Sequence, residues 1–150
     1  MNDEAWMRLA LDTAKAAVDE VPVGAVLVYE GRAIARAHNE QVKRGDALAH
    51  AEMLVIRQGM EALGAAKLKD CDLYVTLEPC PMCAGAIILS GIKRCVFSAF
   101  DTQYGCCGSV YALPMDPVFH HRVACEGGVL EEEGRMLLNR FFATKRQEPL

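Results

Sequence analysis

A chain of 150 residues has the length of one ordinary domain. It is 52% apolar and 24% charged, with a net charge of −4. These proportions exclude a disordered, collagenous or coiled-coil chain. The acidic balance, with a pI near 5.6, argues against nucleic-acid binding by bulk charge alone. The longest apolar stretch, residues 84–89, falls far short of the roughly 20 residues of a membrane span. The N-terminus, Met-Asn-Asp-Glu, lacks the basic and apolar regions of a secretory signal, so a cytoplasmic location without membrane attachment is expected. Seven cysteines then suggest metal binding or buried free thiols in preference to a disulfide framework.

In chain order, residues 2–21 carry Trp6, Leu9, Ala10, Ala14, Ala17 and Val21 at helical spacing, which predicts a first helix stopped by Pro22. Asn2 or Asp3 is its cap, and Asp3 and Glu4 suit the positive end of its dipole. Residues 23–29 and 32–38 read as a hairpin turning at Glu30-Gly31. Residues 50–63 predict a second helix, apolar on more than one face and therefore deeply buried. A strand follows over 72–77. Pro81 opens a third helix that Gly91 closes. Residues 94–98 form another strand, and 101–121 a long ordered loop with room for one short helix. A last helix covers 131–145, acidic at its start and basic at its end. Strands alternating with helices imply a parallel portion beside the antiparallel hairpin, hence an α/β domain over 1–150, its mixed sheet covered by helices on both faces.

The densest chemistry lies in His50-Ala-Glu52 and Pro79-Cys80-Pro-Met-Cys83. Cys80 and Cys83 sit three apart at a helix start, so their sulfurs share one side, where the dipole and free N–H groups favour thiolates. His50 also opens a helix. Two thiolates and a neutral imidazole balance a divalent cation, and sulfur with nitrogen suits zinc. Three ligands, not four, leave a coordination place for water, as catalytic zinc sites do. Glu52 need not be a ligand and can stand beside that water as proton shuttle. Singly, the cysteines would pass as core thiols and His50 as a helix cap; their combination favours the metal.

H-x-E paired with P-C-x-x-C is the known signature of zinc nucleobase deaminases, a resemblance rather than a deduction from spacing. The chain further resembles bacterial tRNA adenosine deaminases, which make inosine at the anticodon wobble position. The similar stretches are residues 20–28, His38-Asn39, 49–53, 57–59, 73–80, 82–87, Gly108-Ser109, 121–123, Phe141-Phe142 and 146–148. The resemblance implies a cytidine deaminase-like, three-layer α/β/α fold with about five strands. It implies one zinc per chain on His50, Cys80 and Cys83, and hydrolytic deamination by zinc-activated water with Glu52 as the catalytic proton shuttle. It also implies a homodimer paired through helices near the metal, with a tRNA anticodon loop as the partner.

By the same resemblance Asn39 would hydrogen-bond the base and Val23 would form an apolar pocket wall; on their own they read as a strand-ending turn residue and a core residue. Asp101 and Ser109 match a loop of pattern D-x-K-x-G-A-x-G-S that lies near the substrate in these relatives. Gln103 replaces its basic residue, Tyr104 is bulky, and Cys106-Cys107 read best as packing residues. Arg140, Phe142, Lys145 and Arg146 mix aromatic and basic character, either as RNA contacts or as an ordinary amphipathic helix. Two rival readings stay open: a deaminase of a free base or nucleoside, of guanine or cytosine type, and a non-catalytic, zinc-stabilised RNA-binding module. Glu52 argues against the second, because a purely structural zinc has no use for an unligated carboxylate.

Overall fold

The computed structural model describes residues 1–147. A five-stranded sheet in the order β2-β1-β3-β4-β5 forms its middle layer. Helix α1 (Asp3–Ala14) starts at Asn2, whose side chain accepts from the Ala5 N–H at 2.9 Å. The periodicity predicts a helix to residue 21, but it ends at Ala14, and Val18 is exposed beyond it. The cause lies in the next strand, β1 (Gly24–Tyr29), which crosses the last turn of α1 very closely. A Cβ on Gly24 would lie 2.1 Å from the Ala10 carbonyl oxygen. The chain must leave the helix early to make that approach, and it turns at Asp19 with φ at 55°.

β1 returns as β2 (Arg32–His38) through Glu30 and Gly31, both at positive φ (48° and 74°), as a two-residue hairpin turn requires. A short helix, α2 (Gln41–Arg44), follows; no sequence signal marks it. Helix α3 (Ala51–Leu63) buries Ala51, Glu52, Val55, Ile56 and Gly59 but exposes Arg57, Gln58, Glu61 and Ala62. It is thus amphipathic, not buried all round. β3 (Cys71–Leu77), α4 (Pro81–Ser90) and β4 (Arg94–Ala99) form a parallel strand–helix–strand unit. Three residues, β5 (Ala124–Glu126), add a fifth strand parallel to β4, which accounts for the expected strand count though no pattern locates it. Within the 101–121 stretch the one helical turn is Leu113–Met115. Helix α5 (Glu131–Gln147) completes the described chain.

Alternation along the strands sorts the core. Ala25, Leu27, Leu73, Val75, Cys95 and Phe97 face α3 and α4 with Val55, Ile56, Ala84 and Ile87. Val26, Val28, Tyr74 and Val96 face α1, through Trp6, Met7, Ala10 and Leu11, with Leu137 of α5 packed on the same side. Each fully buried aliphatic side chain contributes about 1.5–3 kcal/mol by leaving water. The fold is therefore three-layered α/β/α with a mixed sheet, as expected. Its parallel strands β3 and β4 end beside the starts of α3 and α4. No helix among the described residues is long and apolar enough to cross a membrane.

Candidate metal centre and active-site cavity

His50 and Cys80 are the residues just before α3 and α4, both in extended conformation, and neither side chain caps its own helix. Both are therefore free to turn toward each other. The His50 Nδ1 lies 3.7 Å from the Cys80 Sγ and 3.6 Å from the Cys83 Sγ. Nitrogen and sulfur on one tetrahedral zinc, with bonds of about 2.0 and 2.3 Å, stand about 3.5 Å apart. Among the described residues this is the one group of three whose ligand atoms all lie within 4.8 Å of one another. Donor set and spacing fit a zinc ion without rearrangement.

The Cys80 thiol is pulled down to about 4, chiefly by hydrogen bonding from Cys83, with His50 adding to the effect against burial. Cys83 is pushed up, first by that same bond to Cys80 and then by burial. His50 is raised, mainly by its bond to Cys80. A divalent ion would deprotonate both coordinating thiols. Glu52, in the first turn of α3 and 4% exposed, has its carboxyl raised to about 7, first by burial and then by the neighbouring Cys80 charge. A buried carboxyl that titrates near neutral pH is suited to carry protons.

His50, Cys80 and Glu52 open onto a cavity of about 540 Å³. Its wall includes Val23, Asn39, Glu52, Asp101 and Tyr104. The Asn39 Nδ2 donates to the Val21 carbonyl at 3.0 Å, and its Oδ1 accepts from the Ala51 N–H at 2.9 Å. Asn39 thus pins the start of α3, which leaves one N–H and one lone pair for a ligand. Ser109 is not part of the wall; its hydroxyl and N–H both bind Glu78. Glu78, at the end of β3 and 2% exposed, is a cavity residue that motif reading misses. Its signal is the carboxylate directly before Pro79-Cys80. Leu48 and Met82 also line the cavity. Cys106 and Cys107 are buried in the main core, as packing residues.

The tail divides. Phe142 lines a groove with Phe100, Gln103 and Arg135 that shares Val21, Leu77, Asp101 and Tyr104 with the cavity. Arg140 instead lies in a groove against α1 that shares no residue with the cavity. Phe141 packs edge-on against Phe142, with the Lys145 ammonium 5.7 Å from the Phe141 ring centre. Glu148, part of the tail resemblance, lies outside the described residues.

The family model for the cytidine and deoxycytidylate deaminase zinc-binding region matches residues 1–99, which include His50, Glu52, Cys80 and Cys83. The tRNA-specific adenosine deaminase of Bacillus subtilis (strain 168) is 48% identical over 148 residues, covering 97% of this chain and 92% of its own. A structure from studies of A-to-I editing by tRNA:A34 deaminases at the wobble position of transfer RNA aligns with a TM-score of 0.85 at 45% identity, covering 89% of this chain and 99% of its own. A guanine deaminase from Nitrosomonas europaea aligns almost as well, with a TM-score of 0.81, but at 26% identity over 93% of this chain and 84% of its own. Shape alone does not separate the two kinds of purine deaminase; sequence does.

Proposed function

The chain belongs to the cytidine and deoxycytidylate deaminase family, on its tRNA-specific adenosine deaminase branch, and from that membership we infer hydrolysis of adenosine to inosine at the wobble position of a tRNA anticodon. The observation that carries this is identity of 48% along nearly the whole chain, joined to a clustered trio of His50, Cys80 and Cys83, of which His50 and Cys80 line one cavity with the buried Glu52. Its cofactor is zinc, held by His50, Cys80 and Cys83. When bound, zinc supplies a water acidified enough to act as nucleophile near neutral pH.

The protein's own residues do the rest. Glu52 carries the two protons of the attacking water in turn, one to adenine N1 and the other, from the new C6 hydroxyl, to the exocyclic amine, so that the C6–N bond breaks, water is consumed and ammonia leaves. Asn39 offers its remaining N–H and lone pair to the purine edge. Val23 and Leu48 supply apolar wall, and Asp101 stands at the rim. Phe142 extends the wall along the shared groove, where Lys145 and Arg146 follow in the same helix as candidates for RNA phosphates. An anticodon loop presents its base already unstacked, which spares most of the cost of extrusion.

A second copy of the chain completes this reading. Along α4, Met82, Gly85, Ala86 and Leu89 form a stripe at helical spacing, and Leu89 is 70% exposed. A Cβ on Gly85 would meet nothing within 4 Å. The stripe is apolar, closely approachable and continuous with the cavity through Met82. A homodimer paired on α4 would cover it. The cytoplasm is the location this reading carries.

The test is incubation with total tRNA and, separately, with free adenosine, guanine and cytosine, followed by nucleoside mass spectrometry and ammonia release. Inosine in tRNA, with little turnover of free bases, is expected. Efficient deamination of guanine or cytosine with tRNA untouched would replace this reading by a free-base deaminase.

A further inference from the structure

Two buried carboxylates line the cavity, Glu52 and Glu78, and Glu78 is held by a set of hydrogen bonds to a single loop. We infer that Glu78 is a positioning residue: it clamps the loop of residues 101–109 into place as one wall of the cavity and thereby sets how tightly the RNA substrate binds. The statement about substrate rests on the function proposed above; the clamp itself does not.

Glu78 receives four donors, all from that loop. Its Oε1 accepts from the Asp101 N–H at 3.0 Å and from the Ser109 hydroxyl. Its Oε2 accepts from the Cys107 N–H at 3.1 Å and the Ser109 N–H at 2.9 Å. A carboxylate has about four lone-pair sites, so none is left for moving a substrate proton. Bonds to an ionised acceptor are the stronger kind. They gather the two ends of the loop, residue 101 on one side and residues 107 and 109 on the other, onto one side chain.

The loop is cut to fit. A Cβ on Gly105 would lie 2.4 Å from the Glu78 carboxyl carbon and 2.4 Å from the Asp101 carbonyl oxygen. Only glycine allows the backbone that close. The clamp reaches the cavity through Asp101, whose Oδ1 accepts from the N–H groups of Gln103 and Tyr104 at 3.0 Å each. Tyr104, on the cavity wall, is therefore held by a chain of bonds that begins at Glu78. The Cys106 N–H adds a bond to the Pro79 carbonyl at 2.9 Å, so the loop is tied beside the metal-binding segment as well.

Glu78→Gln keeps the volume but turns an amide NH₂ toward N–H and O–H donors. In the zinc-loaded protein, hydrogen exchange at the Asp101, Cys107 and Ser109 amides should quicken by about tenfold or more, the scale of one missing bond to a charged group. Zinc content should stay at the wild-type value. With an anticodon stem-loop as substrate, KM should rise about tenfold while kcat and its pH profile hold. Ser109→Ala, which removes one donor, and Gly105→Ala, whose methyl group would press on the Glu78 carboxyl, disturb the same clamp while Glu78 itself is kept; they carry the test if Glu78→Gln does not fold, and should raise KM in the same way. Unchanged exchange and KM would overturn the proposal. So would a fall in kcat with a displaced pH profile, which would make Glu78 a proton-transfer group. If the wild type leaves RNA untouched, the functional reading fails, and exchange at the three amides still decides the clamp.

Discussion

On the proposed function Glu52 and the three zinc-holding side chains divide the chemistry between them, and substitution should separate their parts. Glu52 sits beside the trio yet is not needed to close it, since His50, Cys80 and Cys83 already bring their donor atoms together. Glu52→Ala should therefore retain about one zinc per chain by elemental analysis while turnover falls by ~10²–10⁴. Loss of the metal in that variant would make Glu52 a ligand instead. Cys83→Ala should do the reverse: it removes a donor from a site whose binding energy is also folding energy, so both zinc and melting temperature should drop. The clustering of the trio is legible because two cysteines three apart at a proline-started helix can only face one way. The anchoring of Asn39 is not legible, since its partners are backbone atoms of Val21 and Ala51, which carry no sequence signature.

At the level of elements, one cluster ties α1 to the sheet. Asp3 accepts from the Tyr74 hydroxyl at 2.6 Å and from the Arg94 guanidinium at 2.9 Å, and Arg94 also reaches Glu126 of β5 at 2.9 Å. Arg94, and then Tyr74, hold the Asp3 carboxyl below its ordinary value of 3.8, against burial. A depressed acid contributes stability above its unfolded pKa and loses it as pH falls through the folded one. Asp3→Asn should thus lower the melting temperature near neutral pH by about 2–4 °C, the effect of ~1 kcal/mol in a chain of this size. The gap to wild type should close as melts are repeated below pH 3.8; a gap that stays constant would deny the ion pair its role. Gly24→Ala should cost more, about 1–3 kcal/mol or above, because a side chain there meets the Ala10 carbonyl. The same close approach explains why pattern reading overruns α1. Ala17 and Val21 continue its helical spacing, and spacing cannot see a strand crossing the last turn. β5 stays hidden because three residues are too few to show a period, and α2 because one turn buries none of its residues. The long, strongly patterned elements, α4 and β3 above all, stand within a residue of their expected bounds.

For the whole molecule, surface chemistry ought to be divided between RNA and a second subunit. A net charge of −4 leaves little general attraction for phosphate, so binding must be local, and the groove shared by Phe142 and the cavity points to α5. Replacing Lys145 and Arg146 with Gln should weaken binding to an anticodon stem-loop and flatten its dependence on salt, because fewer phosphates are then neutralised and fewer counterions set free. Zinc content should not change, and salt titration by fluorescence anisotropy would show an unaltered slope if the tail merely packs. The α4 stripe faces other demands. Leu89, 70% exposed, stands in a row with Met82, Gly85 and Ala86, none of them charged, and such a face is costly to leave in water. Pairing of two α4 helices through a glycine and an alanine would let the backbones approach closely. It would also bring a second chain beside Met82, at the edge of the cavity. Light scattering should then give about twice the chain mass of 16.4 kDa. Leu89→Glu would bury an unpaired charge at each half of that interface, so the variant should run as a monomer and lose activity on tRNA while its zinc is retained. A wild type that is monomeric and fully active would show that one chain suffices and that the α4 stripe serves no pairing.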